Sequence, residues 1–220
     1  MALKLCQNRE KILALAYQGE GLQGQDFHVY PKHPEYCDKP TPTYQPQQTK
    51  KLLTEAGFPN GIDVNIAVGS EWTDIVRYVE VLKQDAAPAG IRVNIQTMPT
   101  SQYWEKWTEV DLGVTPWMHR PIGTMVLNLA YITDDEGKPV PWNETRWSDP
   151  EFSKLLTEAN GLINVDERRK VFCKLEDIQQ SRGSIGIPFW RNAWYIMRKK
   201  VNNVTAVPSI YMTLNETWLA

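Results

Sequence analysis

Three side chains in the middle of the chain have the most chemistry to offer: the indole of Trp117, the imidazole of His119 and the guanidinium of Arg120. They follow Val110-Asp-Leu-Gly-Val114, where Val110, Leu112 and Val114 alternate with smaller or polar residues, the period of a short half-buried strand. Pro116 lacks the amide proton that a sheet interior needs, so the strand is expected to stop at Thr115-Pro116. Ligands of open α/β sheets sit beyond the carboxyl ends of strands, which is where these three residues fall. A flat indole offers a stacking wall, and a planar guanidinium suits a carboxylate or phosphate. Trp142, Asn143 and Trp147, on a proline-flanked loop further on, are added as residues that can reach the same cleft.

The elements that must position this loop can be read from periodicity. Leu3 to Gln18 has helical spacing and runs into the breaker Gly19-Glu-Gly21. Gly24 to Pro46 carries five prolines and few apolar residues, and is expected to cross the surface as an extended connection. A helix follows from Pro46, with Leu52, Leu53 and Ala56 inward and Gly57 as its stop. Alternating Ile62, Val64, Ile66 and Val68 make a strand. Ser70 is a candidate N-cap for a helix with Trp72, Ile75, Val76, Val79 and Leu82 on one face, and Ile91, Val93 and Ile95 make a second strand. Strand, helix and strand at this length form a parallel βαβ unit. Thr100 is a candidate cap for a short helix whose Tyr103, Trp104 and Trp107 are expected to pack on the sheet. Met125 to Tyr131 fits helix or strand equally. Asp149-Pro150 and Asn164 with Glu167 open two more helices. Ile185 to Met197 reads as strand, with Trp190, Arg191 and Trp194 packing the sheet. Pro208 and the tail Tyr211 to Leu219 read as a connection and an edge segment. The class is α/β, a mixed sheet flanked by helices.

Composition excludes several functions. The chain has 220 residues and a formal charge of -2 with no basic block, which argues against nucleic acid as a partner. No apolar run approaches the length of a bilayer span. Met1-Ala-Leu-Lys-Leu5 runs straight into a helical pattern, so no signal peptide is expected, and the abrupt start suggests a fragment. Cys6, Cys37 and Cys173 show no Cys-x-x-Cys spacing and are expected to be three unrelated thiols. His28 and His33 lie on a loop that does not fix their spacing; neither a metal nor a cofactor is expected. No Gly-x-Ser-x-Gly, His-Glu-x-x-His or P-loop occurs, so no enzymatic activity is expected. A carbohydrate hydrolase using Glu144 and Asp149, or a stand-alone interaction module, are the rival readings.

Five stretches, in order, resemble the bacterial extracellular solute-binding proteins of family 5, receptors of ABC importers for peptides, nickel and oligosaccharides. They are Ala2-Leu-Lys-Leu-Cys-Gln-Asn-Arg-Glu-Lys-Ile-Leu13 with Tyr17-Gln-Gly-Glu-Gly21, Lys50-Lys-Leu-Leu-Thr-Glu-Ala-Gly-Phe-Pro-Asn-Gly-Ile62, Gly90-Ile-Arg-Val-Asn-Ile95, Trp147-Ser-Asp-Pro-Glu-Phe152 and Gly186-Ile-Pro-Phe-Trp190. The resemblance implies a lobe of the type II periplasmic-binding-protein fold, with residues 1–194 as the second lobe and 195–220 as the hinge crossing and a tail returning to a first lobe. It implies a peptide-like or other small solute held between two lobes, importer membrane subunits as partners, and a periplasmic or extracellular, membrane-associated location for the full-length protein. Self-association through an uncovered lobe surface is a further expectation. The family's peptide receptors carry Trp-x-x-Asp and then Asp-Pro at the opening stretch, the Asp pairing with the ligand's amino terminus. Here Trp117-Met-His-Arg120 puts a cation there, and Gly123-Thr124 replaces Asp-Pro. The reversed charge favours a ligand with an anionic group, or an opine- or sugar-like ligand stacked on Trp.

Overall fold

The computed structural model describes residues 1–207 and 212–220. In chain order the elements are α1 (Ala2–Leu5), α2 (Arg9–Tyr17), β1 (Leu22–Gln23), α3 (Pro46–Glu55), β2 (Ile62–Gly69), α4 (Thr73–Ala86), β3 (Ile91–Met98), α5 (Thr100–Lys106), α6 (Gly123–Ala130), α7 (Pro150–Gly161), α8 (Val165–Arg182), β4 (Phe189–Trp190), β5 (Val201–Asn202) and β6 (Trp218–Leu219). The expected βαβ unit is β2-α4-β3, its strands parallel and in register from Ile62 opposite Ile91 to Gly69 opposite Met98. Both strands start from glycines at positive φ, Gly61 and Gly90. A Cβ on Gly61 would stand 2.1 Å from the Gly90 carbonyl oxygen, so only glycine lets the two turns close this tightly. The mixed character comes from this pair and two short antiparallel ones, β1 with β4 and β5 with β6.

Several expectations change in detail. The first helix is two, because the Asn8 side chain accepts the Lys11 N–H and caps α2 at the break. Ser70 and Thr100 do not cap α4 and α5; both bond Glu71 instead. Residues 110–114 are not a regular strand. They touch β2 at one parallel bridge, where the Ala67 N–H donates to Leu112 and the Val114 N–H to Ala67. Met125 to Ala130 is helical, within α6. Of Ile185 to Met197 only Phe189–Trp190 is strand. Asp149 and Asn164 cap α7 and α8 as read. Tyr211 and Pro208 lie outside the described residues, while Trp218–Leu219 forms the edge pair with β5.

Two apolar clusters form the interior. One packs α2, α3 and α4 on the β2–β3 pair through Ile12, Leu53, Ile66, Val79 and Ile91. The other gathers α6, α7 and α8 around Leu127, Phe152, Leu156, Phe172 and Leu175 with Phe27 and Val29. Each such fully buried large side chain contributes about 1.5–3 kcal/mol. Phe27 and Val29 belong to the proline-rich segment, which is therefore not a surface connection. Gln25, Asp26, His28, His33 and Glu35 are buried with them. Its backbone and side chains find polar partners on α8. Gln179 accepts the His28 N–H, Gln180 donates to the Gln25 and Pro40 carbonyls, Arg168 pairs with Glu35 at 2.9 Å, and Arg169 donates to the Pro34 carbonyl. The three thiols are not unrelated either. Cys37 and Cys173 form a disulfide between this segment and α8, and Cys6 alone is free and buried. Among the described residues no helix is long and apolar enough to cross a membrane.

The cross-link closes a loop with a sequence separation of 136 residues, so it removes much freedom from the unfolded chain. Cys37→Ser with Cys173→Ser is expected to cost about 2–5 kcal/mol, read as a lower denaturant midpoint that reductant reproduces in the parent protein. Beside it the Glu176 carboxyl is buried against the Cys37 N–H, and burial pushes its pKa up to about 9. Unfolding frees that carboxyl to ionise at its ordinary value, so Glu176 takes stability away as pH climbs from about 4.5 towards 9. Glu176→Gln should melt higher than the parent at pH 8 and alike near pH 4; equal melting at both pH values would rule this out.

Candidate functional site

The loop 115–122 leaves the bridge that Gly113 makes with Ala67 of β2 and runs to the start of α6. Trp117 is held at both ends of its ring. Its indole N–H donates to Glu144 Oε1 at 2.7 Å, and its face meets the edge of the His28 ring at 5.3 Å. Glu144 also accepts the Thr115 hydroxyl, which is bonded in turn to the Tyr103 hydroxyl. Burial raises the Glu144 pKa while these two hydrogen bonds lower it. Arg146 donates to the Thr108 and Val110 carbonyls and fastens the 142–147 loop to the base of the opening stretch.

His119 stacks on His33 at 5.1 Å, and Tyr30 stands edge-on to both. His33 is fixed in one tautomer. Its Nδ1 accepts the Tyr30 backbone N–H at 3.0 Å, so the proton sits on Nε2, which donates to the Arg120 carbonyl at 2.7 Å. Burial lowers the pKa of His33, His119 and His28, the last to about 3, with Arg120 adding to the shift of His28 and His119. All three rings are therefore neutral near pH 7. The cation at this loop is the Arg120 guanidinium, and among the described residues it makes no ion pair.

Residues 1–136 match the family model described as bacterial extracellular solute-binding proteins, family 5 Middle. The chain belongs to this family. It is 26% identical over 193 residues to heme-binding protein A of Haemophilus influenzae, covering 78% of this chain and 32% of that protein. It is 21% identical over 222 residues to the dipeptide-binding protein of Escherichia coli, covering 94% and 40%. The chain thus spans a third to two fifths of the length of these two relatives. Among solved structures, the oligopeptide-binding protein AppA from Bacillus subtilis in complex with a nonapeptide superposes with a TM-score of 0.78 at 18% identity, over 100% of this chain and 46% of that one. The binding protein AgaA of A. tumefaciens R10, in complex with agropinic acid, gives 0.75 at 20% identity over 86% and 39%. These likenesses establish the type II periplasmic-binding-protein fold.

Within this family-5 chain the six candidate residues separate into two groups. Trp117, His119 and Arg120 lie half-buried on the loop, and Trp142, 44% exposed, meets Trp117 at 5.8 Å. Asn143 is buried and spends its amide on the Ile132 and Trp147 carbonyls, which shapes the loop. Trp147 faces inward on Phe152 and Tyr131. Asp149 caps α7 and pairs with Arg182, so the two carboxyls of the hydrolase reading are both engaged in holding structure. Sequence reasoning missed Tyr30, His28, His33, Trp190 and Glu144 as neighbours of the loop. Trp190 lies edge-on to Tyr30 at 5.3 Å and 6.0 Å from His28. The clustering of His28, Tyr30 and His33 was visible, but read as a surface loop it pointed nowhere.

Glu144→Ala is expected to release Trp117 and cost about 1–3 kcal/mol, the penalty for stranding buried donors. Tryptophan emission should shift and broaden while helix content stays; Glu144→Gln, which keeps one acceptor, should change both less. Unaltered emission in Glu144→Ala would show that the ring packing alone holds the indole.

Proposed function

We propose that this chain is the second lobe, over residues 1–194, of the substrate-binding component of an ABC importer, with 195–220 as the hinge crossing and tail. It captures a small solute against the Trp117–Arg120 loop while a first lobe closes over it, and it hands the solute to membrane subunits without chemical turnover. Family membership supports the class, and its heme-binding and dipeptide-binding relatives support peptides and comparable small solutes as its range. The Cys37–Cys173 disulfide supports a periplasmic or extracellular location, since such bonds persist in oxidising compartments. Exposed Trp194, Ile196 and Trp218 suit a surface that the first lobe covers and that favours self-association when uncovered.

The observation that carries the ligand reading is Arg120: a guanidinium without an ion pair among the described residues, beside three neutral imidazoles. Such a group is placed for a carboxylate or phosphate of the solute. Trp117 and Trp142 supply flat walls, and His119 a hydrogen-bonding edge. The test is a thermal-shift screen of the two-lobed receptor with plain dipeptides, their N-succinyl derivatives and neutral oligosaccharides. Ligand that binds only the folded state raises the melting temperature. Acidic compounds should shift the parent, and Arg120→Ala should weaken them about ten- to a hundredfold, the worth of a hydrogen bond to a charged group. Plain peptides or neutral sugars shifting parent and variant equally would make Arg120 scaffold.

A further inference from the structure

The helix α5 brings more aromatic surface than the fold requires. Its Tyr103 is fully buried and bonds Thr115, which anchors the helix. Trp104 and Trp107, one turn apart by position, are not consumed by the core: Trp104 remains 43% exposed. Trp107 sits 5.6 Å from Trp104, 6.2 Å from Trp117 and 6.2 Å from Trp142, and Trp142 is 44% exposed. All these contacts are edge-to-face, with interplanar angles of 63–77°, so the four indoles brace one another as one surface. Of the four, among the described residues, only Trp117 spends its N–H inside the protein, on Glu144. Soluble surfaces scatter their apolar groups singly, and a joined set of indoles whose Trp117 lies three residues along the chain from Arg120, a guanidinium without an ion pair among the described residues, marks a place where something binds.

We propose that the solute's body lies on this Trp117–Trp142–Trp107–Trp104 surface while its anionic head meets Arg120, so that the ligand class is an amphipathic anion with a planar, ring-bearing body. This rests on the anionic reading of Arg120. The charges agree with it. Arg120 supplies the positive end, and the Glu144 carboxyl beside Trp117 has its oxygens engaged by Trp117 and Thr115. The indole faces carry no net charge and stack on planar groups. The rival occupant of the patch is the first lobe itself.

Two probes separate these readings on the two-lobed receptor. Succinate is a compact anion followed by thermal shift, and 1-pyreneacetate joins a carboxylate to a planar body and is followed by energy transfer from tryptophan. 1-Pyrenemethylamine, with the same body and opposite charge, is the control. The parent should bind 1-pyreneacetate at least tenfold more tightly than the amine. Trp104→Ala and Trp142→Ala should weaken 1-pyreneacetate about two- to tenfold, the range for an aromatic pair, and Trp104→Ala should leave the succinate shift unchanged. Trp142→Phe should retain most of the affinity. Arg120→Ala should weaken both anions. If succinate still depends on Arg120 but 1-pyreneacetate ignores both tryptophan variants, the indole surface is a lobe contact and the inference falls while the anionic site stands. If the amine binds as well as the acid, or neither anion binds the parent, the anionic site itself falls and takes the inference with it.

Discussion

The clamp between α8 and residues 25–40 is the constraint on which the rest of this chain depends. A proline-rich run has few amide protons to offer a sheet and cannot form a helix, so burying it strands carbonyl and amide groups unless another element meets them. Helix α8 does so along its length. Arg168 and Arg169 hold Glu35 and Pro34, Cys173 is bonded to Cys37, Glu176 accepts the Cys37 N–H, and Gln179 and Gln180 meet His28 and Gln25. Lys4 then closes the far end by donating to the carbonyls of Gln179 and Gln180. Because the run is pinned, Phe27 and Val29 can enter the core, and His28, Tyr30 and His33 can stand under the loop 115–120.

Burial then decides the electrostatics. Asp26 is removed from water, and its carboxylate is met by the Arg9 guanidinium and the Ile187 N–H. Glu35 likewise is spent on Arg168 and on the buried N–H of Gly123 at the start of α6, which has no partner within the helix and where a side chain would collide with Phe172. Asp26 and Glu35 are thus engaged inside the protein, and the imidazoles are kept neutral by desolvation. The unusual tryptophan content is explained in the same terms: some indoles pack inward, as Trp147 does, and those of α5 and the 117 and 142 loops form a surface.

Much of the scaffold was legible in the amino-acid pattern because its interactions are local. The alternation at Ile62–Val68 and Ile91–Ile95, the caps Asp149 and Asn164, and the helical faces between them depend on neighbours a few residues away, and they appear where expected. The five motif stretches identified the family for the same reason, being runs of consecutive residues. The opening strand shrank to one bridge on Ala67, and the stretch after Ile185 to two residues, because strand length depends on partners that local alternation does not reveal.

Sequence alone determined the class of this chain, its βαβ unit, and the presence of Trp117, His119 and Arg120 just past a sheet position. Tertiary structure alone decided that Cys37 and Cys173 join, that a proline-rich run is core rather than surface, and that Asn143 and Trp147 shape a loop while Trp107, His28 and Glu144 surround Trp117. The reason is range. Helix and strand signals are set by the chemistry of adjacent residues, whereas a disulfide spanning 136 positions, or an imidazole whose pKa falls well below its ordinary value, needs distant elements that meet and exclude water.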